Sequence, residues 1–167
     1  MPTGPRIISL AGGGCVAVQE YGGADGVPVF FFHGWPSSRT MAELTDDAAC
    51  ELGVRIISID RPGIRDSTFQ IGRTLLDWPP LLREVARQLQ LDRFRVLALS
   101  GGAPYAYVAG WAMPEAVEAI AVASGAPPIA ELTNRTGLLH LYNRMLVLHQ
   151  RRPGVLRAMF RAARPFA

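Results

Sequence analysis

Arg95-Val96-Leu97-Ala98-Leu99-Ser100-Gly101-Gly102-Ala103 is the stretch on which the fold turns. An apolar run ends, one serine follows, small residues stand two positions to either side of it (Ala98 and Gly102), and a helical pattern opens at Ala103. That succession is the geometry of a nucleophile elbow, in which a serine sits on a strained strand-to-helix turn with its hydroxyl exposed. Small neighbours are needed because strand and helix approach closely there. The helix start offers backbone N–H groups and the positive end of a dipole to a developing oxyanion. Taken alone, the segment also fits an ordinary glycine-rich turn that cradles phosphate. A nucleotide site is the weaker reading, because neither Ser100–Ala106 nor Ala11–Val16 holds a P-loop lysine or a G-x-G-x-x-G pattern.

Outward from this turn, short apolar runs alternate with helical spacings. Val29–Phe32, Val54–Ile59, Arg95–Leu99 and Val117–Ala123 read as strands buried on both faces. Arg6–Leu10 and Cys15–Tyr21 alternate more loosely and predict an opening hairpin across Gly12, Gly13 and Gly14. Helices are expected over Ser38–Leu52, which starts at cap-type serines and stops at Gly53, and over Pro79–Leu91 and Ala103–Met113. Two further amphipathic pieces, Gly137–Gln150 and Val155–Ala163, flank Arg151-Arg152-Pro153-Gly154. Strand, helix, strand, helix predicts an α/β fold, a mostly parallel sheet with flanking helices on both faces.

Two more loops follow buried strands. His33-Gly34-Trp35-Pro36 comes after the strand Val29–Phe32, and Asp60-Arg61-Pro62-Gly63 comes after Val54–Ile59, with Ser67 soon beyond. An HG turn at the first place supplies a second oxyanion donor from the residue after the glycine. With FFFHGWPSS, IISIDRPGIRDST, LQLDRFRVLALSGGAPYAY and MPEAVEAIAVASGAPP in this order, residues 6–128 resemble the α/β-hydrolase superfamily, in its esterase, lipase and epoxide-hydrolase-like branch. Two positions depart from the pattern. Ala98 replaces the first glycine of G-x-S-x-G, small for small, and Arg65 stands where the DRPGxGxS loop has its second glycine, which puts that loop's usual conformation in question.

The resemblance implies a role for each matching residue. Ser100 corresponds to the nucleophile, and the backbone N–H groups of Trp35 and Gly101 to the oxyanion hole. His33 and Gly34 correspond to the supporting HG turn, His33 as a structural residue rather than a base, and Pro36 shapes the mouth of the site. Serine rather than aspartate at position 100 favours hydrolysis of a small, apolar, ester-like substrate over epoxide or haloalkane chemistry. No cofactor is implied. The resemblance also divides the chain into residues 1–128, the N-terminal part of the hydrolase core, and residues 129–167, the start of a helical cap.

A serine needs a base and an acid to orient it, and in this fold they follow in the order Ser, Asp or Glu, His. After Ser100 the acids are Glu115, Glu118 and Glu131 and the histidines are His140 and His149. Glu115 and Glu118 fall at the end of the strands away from the serine. Glu131 lies beyond a Pro-Pro turn, and both histidines lie in cap-like helical pieces. The expectation is a C-terminally truncated hydrolase that lacks the last sheet strands and the catalytic histidine that follows them. The strand Val117–Ala123 is then an exposed apolar edge, which predicts self-association. The alternatives are a catalytically inactive, hydrolase-like binding protein or a non-functional fragment of a longer hydrolase.

Composition bounds these readings. The 167 residues are 49% hydrophobic and 19% charged, which excludes a disordered chain. No apolar run reaches the roughly 20 residues needed to cross a bilayer, and the N-terminus has no signal-like segment, so a cytoplasmic location is expected. All 17 basic residues are arginine, which with the abundant alanine and glycine suggests a GC-rich bacterial genome. Cys15 and Cys50 have no disulfide or metal spacing, and no histidine lies near them, so no metal site is expected. The net charge of +3 conceals −4 over residues 1–131 and +7 over residues 132–167. Arg157, Arg161 and Arg164 line one helical face, read as the solvated side of the cap rather than a nucleic-acid or membrane surface. Val155, Leu156, Met159 and Phe160, opposite, suit an apolar acyl pocket. Asn134-Arg135-Thr136 matches a glycosylation sequon but has no secretion signal to support it.

Overall fold

The structure, a computed structural model, describes residues 4–126 and 136–163. Glu131, Asn134, Arg135 and Arg164, singled out in the sequence, lie outside the described residues. The chain divides into two compact units, Met1–Ala126 and Pro127–Ala167.

The first unit is built on a six-stranded sheet of β1 (Arg6–Ser9), β2 (Cys15–Gly22), β3 (Val27–Phe32), β4 (Val54–Ile59), β5 (Phe94–Leu99) and β6 (Val117–Ala123), ordered β1-β2-β4-β3-β5-β6. The opening hairpin and the β2–β4 pair are antiparallel, and β4, β3, β5 and β6 run parallel. From β3 the chain steps to β4 on one side and later returns to β5 on the other. That reversal of strand order leaves a crevice at the carboxyl ends of β3 and β5, where ligands bind in open α/β sheets.

Helices connect the parallel strands: α1 (Asp46–Glu51), α2 (Trp78–Gln88) and α3 (Ala103–Ala112). Pro79 and Pro80 open α2, where the missing N–H groups cost nothing. On one face of the sheet Phe30, Phe32, Phe94 and Val96 pack with Trp78, Leu82 and Val85 of α2 and Ala106 of α3. Phe32 meets Trp78 edge-on at 5.2 Å, and Phe30 meets Phe94 likewise at 4.8 Å. Burying each such ring contributes about 2–3 kcal/mol. On the other face Tyr21, Phe31 and Ile56 pack with Ala42 and Ala49 around α1.

Three expectations need correction. The single helix over 38–52 is a 3-10 segment, Arg39–Thr45, followed by the short α1. Ser38 does not cap it: its hydroxyl pairs with Thr40 at 3.0 Å, and the carboxylate of Asp60 takes the Arg39 backbone N–H instead. Strand β6, read as buried on both faces, is largely exposed, because it lies at the sheet edge and α1 packs chiefly on β2 and β4. Its apolar composition marks a surface suited to burial without saying what covers it. The cap-like helix expected from Gly137 starts at His140, after Gly137 turns the chain at φ +82°.

The second unit holds α4 (His140–Arg151) and α5 (Pro153–Ala163), two amphipathic helices in contact with each other. No described side chain of either helix is fully buried.

Candidate active site

Ser100 sits at the junction of β5 and α3 with φ +49°, a left-handed conformation that costs a non-glycine residue about 1–2 kcal/mol. The strand end, a single 3-10 turn over Ser100–Gly102 and the close packing around it hold that strain. A Cβ on Gly102 would lie 2.1 Å from the Phe32 carbonyl oxygen, so only glycine lets the start of α3 rest on the end of β3. Ala98 is fully buried. The Ser100 carbonyl accepts the Ala126 N–H at 2.9 Å, which ties the chain leaving β6 to the elbow.

The loop after β3 closes against this turn. A Cβ on Gly34 would stand 3.3 Å from Ser100 Cβ and 3.9 Å from its Oγ. A Cβ on Gly101 would stand 3.4 Å from the Trp35 backbone nitrogen. The structure therefore brings Ser100, Gly101, Gly34 and Trp35 together, with Gly34 buried and Trp35 46% exposed. Pro36 follows through a cis peptide and is exposed. His33 is fully buried; its Nδ1–H donates to the Gly34 carbonyl at 2.9 Å, and its Nε2 has no partner among the described residues. Burial, reinforced by the Arg61 guanidinium, lowers its pKa to about 4, so the ring is neutral at pH 7.

The loop after β4 supplies what the sequence reading gave no role. Arg61 is 6% exposed, and its guanidinium donates to the carbonyl oxygens of both His33 and Gly34, the latter at 2.8 Å. It lies 5.0 Å from the centre of the Tyr105 ring, which also meets Trp78 edge-on and carries Arg73 at 5.6 Å. Asp60 and Arg39 form a buried ion pair, and Arg39 reaches Asp66 as well at 2.7 Å. Arg65 takes φ +45°, the region the absent glycine would have occupied. The loop keeps its turn, closed by Ile64 N–H to the Arg61 carbonyl and by the Ser67 hydroxyl to the Asp60 carbonyl, both at 2.9 Å. An arginine two residues past the end of a buried strand was the available signal for Arg61.

The remaining acids and histidines fall elsewhere. Glu115 pairs with Arg83 at 2.7 Å, and Glu118 with Arg93 at 3.1 Å and Arg95 at 3.5 Å. In the second unit, His140 lines an apolar groove of about 860 Å³ between α4 and α5, with Met145, Leu148, Leu156 and Met159. His149 is exposed, as are Arg157, Arg161 and Phe160. Among the described residues no cluster of His, Cys, Asp and Glu could hold a metal ion, and no helix is long and apolar enough to cross a membrane.

No family model and no curated protein matches the sequence. Solved structures do. A hypothetical protein of Pseudomonas aeruginosa PAO1 is 30% identical with a TM-score of 0.66, over 75% of this chain and 45% of its own. The naproxen esterase of Bacillus subtilis is 25% identical with a TM-score of 0.66, over 74% of this chain and 43% of its own. The epoxide hydrolase CorEH is 20% identical with a TM-score of 0.73, over 95% of this chain and 55% of its own, which speaks to fold alone. The chain thus spans about half the length of these structures or less. Strand order, the Ser100 turn and these likenesses together give the chain an α/β-hydrolase-like fold.

Proposed function

We propose that the chain is a serine-nucleophile hydrolase of small, apolar, ester-like substrates. The observation that carries this is Ser100 at φ +49°, with the Gly34–Trp35 loop packed against it. Ser100 Oγ attacks the substrate carbonyl carbon and its proton passes to a base. The N–H groups of Trp35 and Gly101 then bind the oxyanion of the tetrahedral intermediate. Collapse expels the alcohol, and water hydrolyses the acyl-serine. A histidine base would come from outside the first unit, because His33, the one histidine there, protonates only near pH 4 and has Nδ1 engaged by Gly34. No cofactor takes part. Free thiols at Cys15 and Cys50 fit a reducing, cytoplasmic setting.

The pairing of Glu115 with Arg83 and of Glu118 with Arg93 and Arg95, which engages the described acids that follow Ser100, favours a second reading, a hydrolase-like binding protein without turnover. Fluorophosphonate labelling and nitrophenyl ester hydrolysis separate the two. The enzyme reading expects both, each lost in Ser100→Ala. The binding reading expects neither, with apolar ligand affinity unchanged in that variant.

We assign self-association to the exposed edge of β6, where a row of backbone N–H and C=O groups borders alanines 119, 121 and 123. Sedimentation should show dimers or larger species that Ala121→Lys returns to monomer. A monomeric wild type overturns this assignment.

A further inference from the structure

We propose that Arg61 is a positioning residue for the oxyanion-binding peptide, holding it through the carbonyl groups of His33 and Gly34; this rests on the serine-hydrolase reading above. The Gly34 carbonyl and the Trp35 N–H are the two ends of one planar trans peptide, so whatever fixes the oxygen also aims the hydrogen. Glycine at position 34 accommodates the close approach of Ser100, whose Cβ would stand 3.3 Å from a Cβ placed there. Glycine is also the residue whose adjoining peptides turn most freely. The freedom that lets the loop reach the serine must therefore be removed from outside the glycine itself.

Arg61 removes it. One nitrogen of its fork donates to the His33 carbonyl and the other to the Gly34 carbonyl at 2.8 Å, so two successive peptide planes are pinned by one rigid group. His33 Nδ1–H adds a second hydrogen bond to the same Gly34 oxygen at 2.9 Å. Donors at the carbonyl end also polarise the peptide and strengthen its N–H as a donor. The positive end of the clamp thus lies on one side of the peptide and the Trp35 N–H on the other.

The setting of Arg61 supports a dedicated role. Among the described residues no carboxylate lies within ion-pair distance of it, and a buried arginine without one carries a desolvation penalty of several kcal/mol. The two backbone carbonyls and the face of Tyr105 are what it receives in exchange. Lysine offers a point charge in place of a fork and cannot span both carbonyls in the same way.

The test follows the rate of fluorophosphonate attachment in wild type, Arg61→Gln and Arg61→Lys, separating the bond-forming rate constant from the concentration at half saturation. Removing one oxyanion donor outright costs about 10²–10³-fold, so misdirecting one should slow bond formation by about 10–100-fold in Arg61→Gln, with half saturation unchanged and Arg61→Lys in between. Partial unfolding would instead reduce the fraction of protein labelled. A folded Arg61→Gln that labels at the wild-type rate overturns the proposal. In parallel, the ¹⁵N and ¹H shifts of the Trp35 amide are recorded. A change centred on that amide supports the clamp, and unchanged shifts overturn it. A wild type that never labels defeats the hydrolase reading, while the amide shifts still decide whether Arg61 holds the peptide. If Arg61→Gln does not fold, Arg61→Lys decides by the same two readouts.

Discussion

The two units present the same kind of residue in opposite circumstances. In the first, arginines 39 and 61 are buried, each hydrogen-bonded to groups at least 21 residues away, and the backbone carries left-handed residues at Arg65 and Ser100. In the second, the described arginines of α4 and α5 are exposed, and Leu139, Leu141, Val155 and Met159 stand in solvent beside them. Strain persists only where surrounding contacts over-determine it. The contrast therefore separates a unit whose packing holds the strained Ser100 turn in place from one whose helices are specified by amphipathicity alone.

That contrast can be broken at the elbow most forcefully. Gly102→Ala places a Cβ on the Phe32 carbonyl, and should cost about 3 kcal/mol or more in denaturant unfolding. A variant as stable as wild type would mean that β3 and α3 are not in the contact described. His33 gives an effect of similar but smaller size. Its pKa is about 4 when folded and 6.5 when exposed, so between those values the unfolded chain binds the extra proton. Stability is then full above pH 6.5 and falls as the pH drops toward 4, by about 3 kcal/mol in all. His33→Gln should remove that component of the pH dependence; an unchanged profile would mean that His33 is not buried and neutral. In the second unit, Leu156→Ala should cost about 1 kcal/mol or less, because the side chain is only half-buried. A loss of 3 kcal/mol there would give α5 a packed core like that of the first unit.

Much of this was legible in the residues. Strands β3 to β6 fall within two residues of their predicted limits, because continuous Val, Ile, Phe and Leu runs bounded by Gly, Pro and Asp leave little latitude. The Ser100 turn was readable because Ala98 and Gly102 answer a steric demand that few other residues meet. The polar framework was not readable. Asp60 caps the helical segment at Arg39 across 21 residues, and Arg61 grips a loop 27 residues earlier, pairings that exist only once β3 and β4 lie side by side. Arg65 misled for another reason. Glycine makes a left-handed turn cheap, but a loop closed by Ser67 and Ile64 can hold arginine there as well. Exposure of β6 was foreseen from fold resemblance and contradicted by composition, since apolarity alone does not say which neighbours are present.

The central claim is that the first unit presents Ser100 as a nucleophile beside the Trp35 and Gly101 amides. Peptide mapping of the fluorophosphonate-treated protein tests it most directly. The account predicts one adduct, on Ser100, absent from protein unfolded before treatment and absent from Ser67 and Ser124. An adduct on another serine, or equal labelling of folded and unfolded chains, would contradict it.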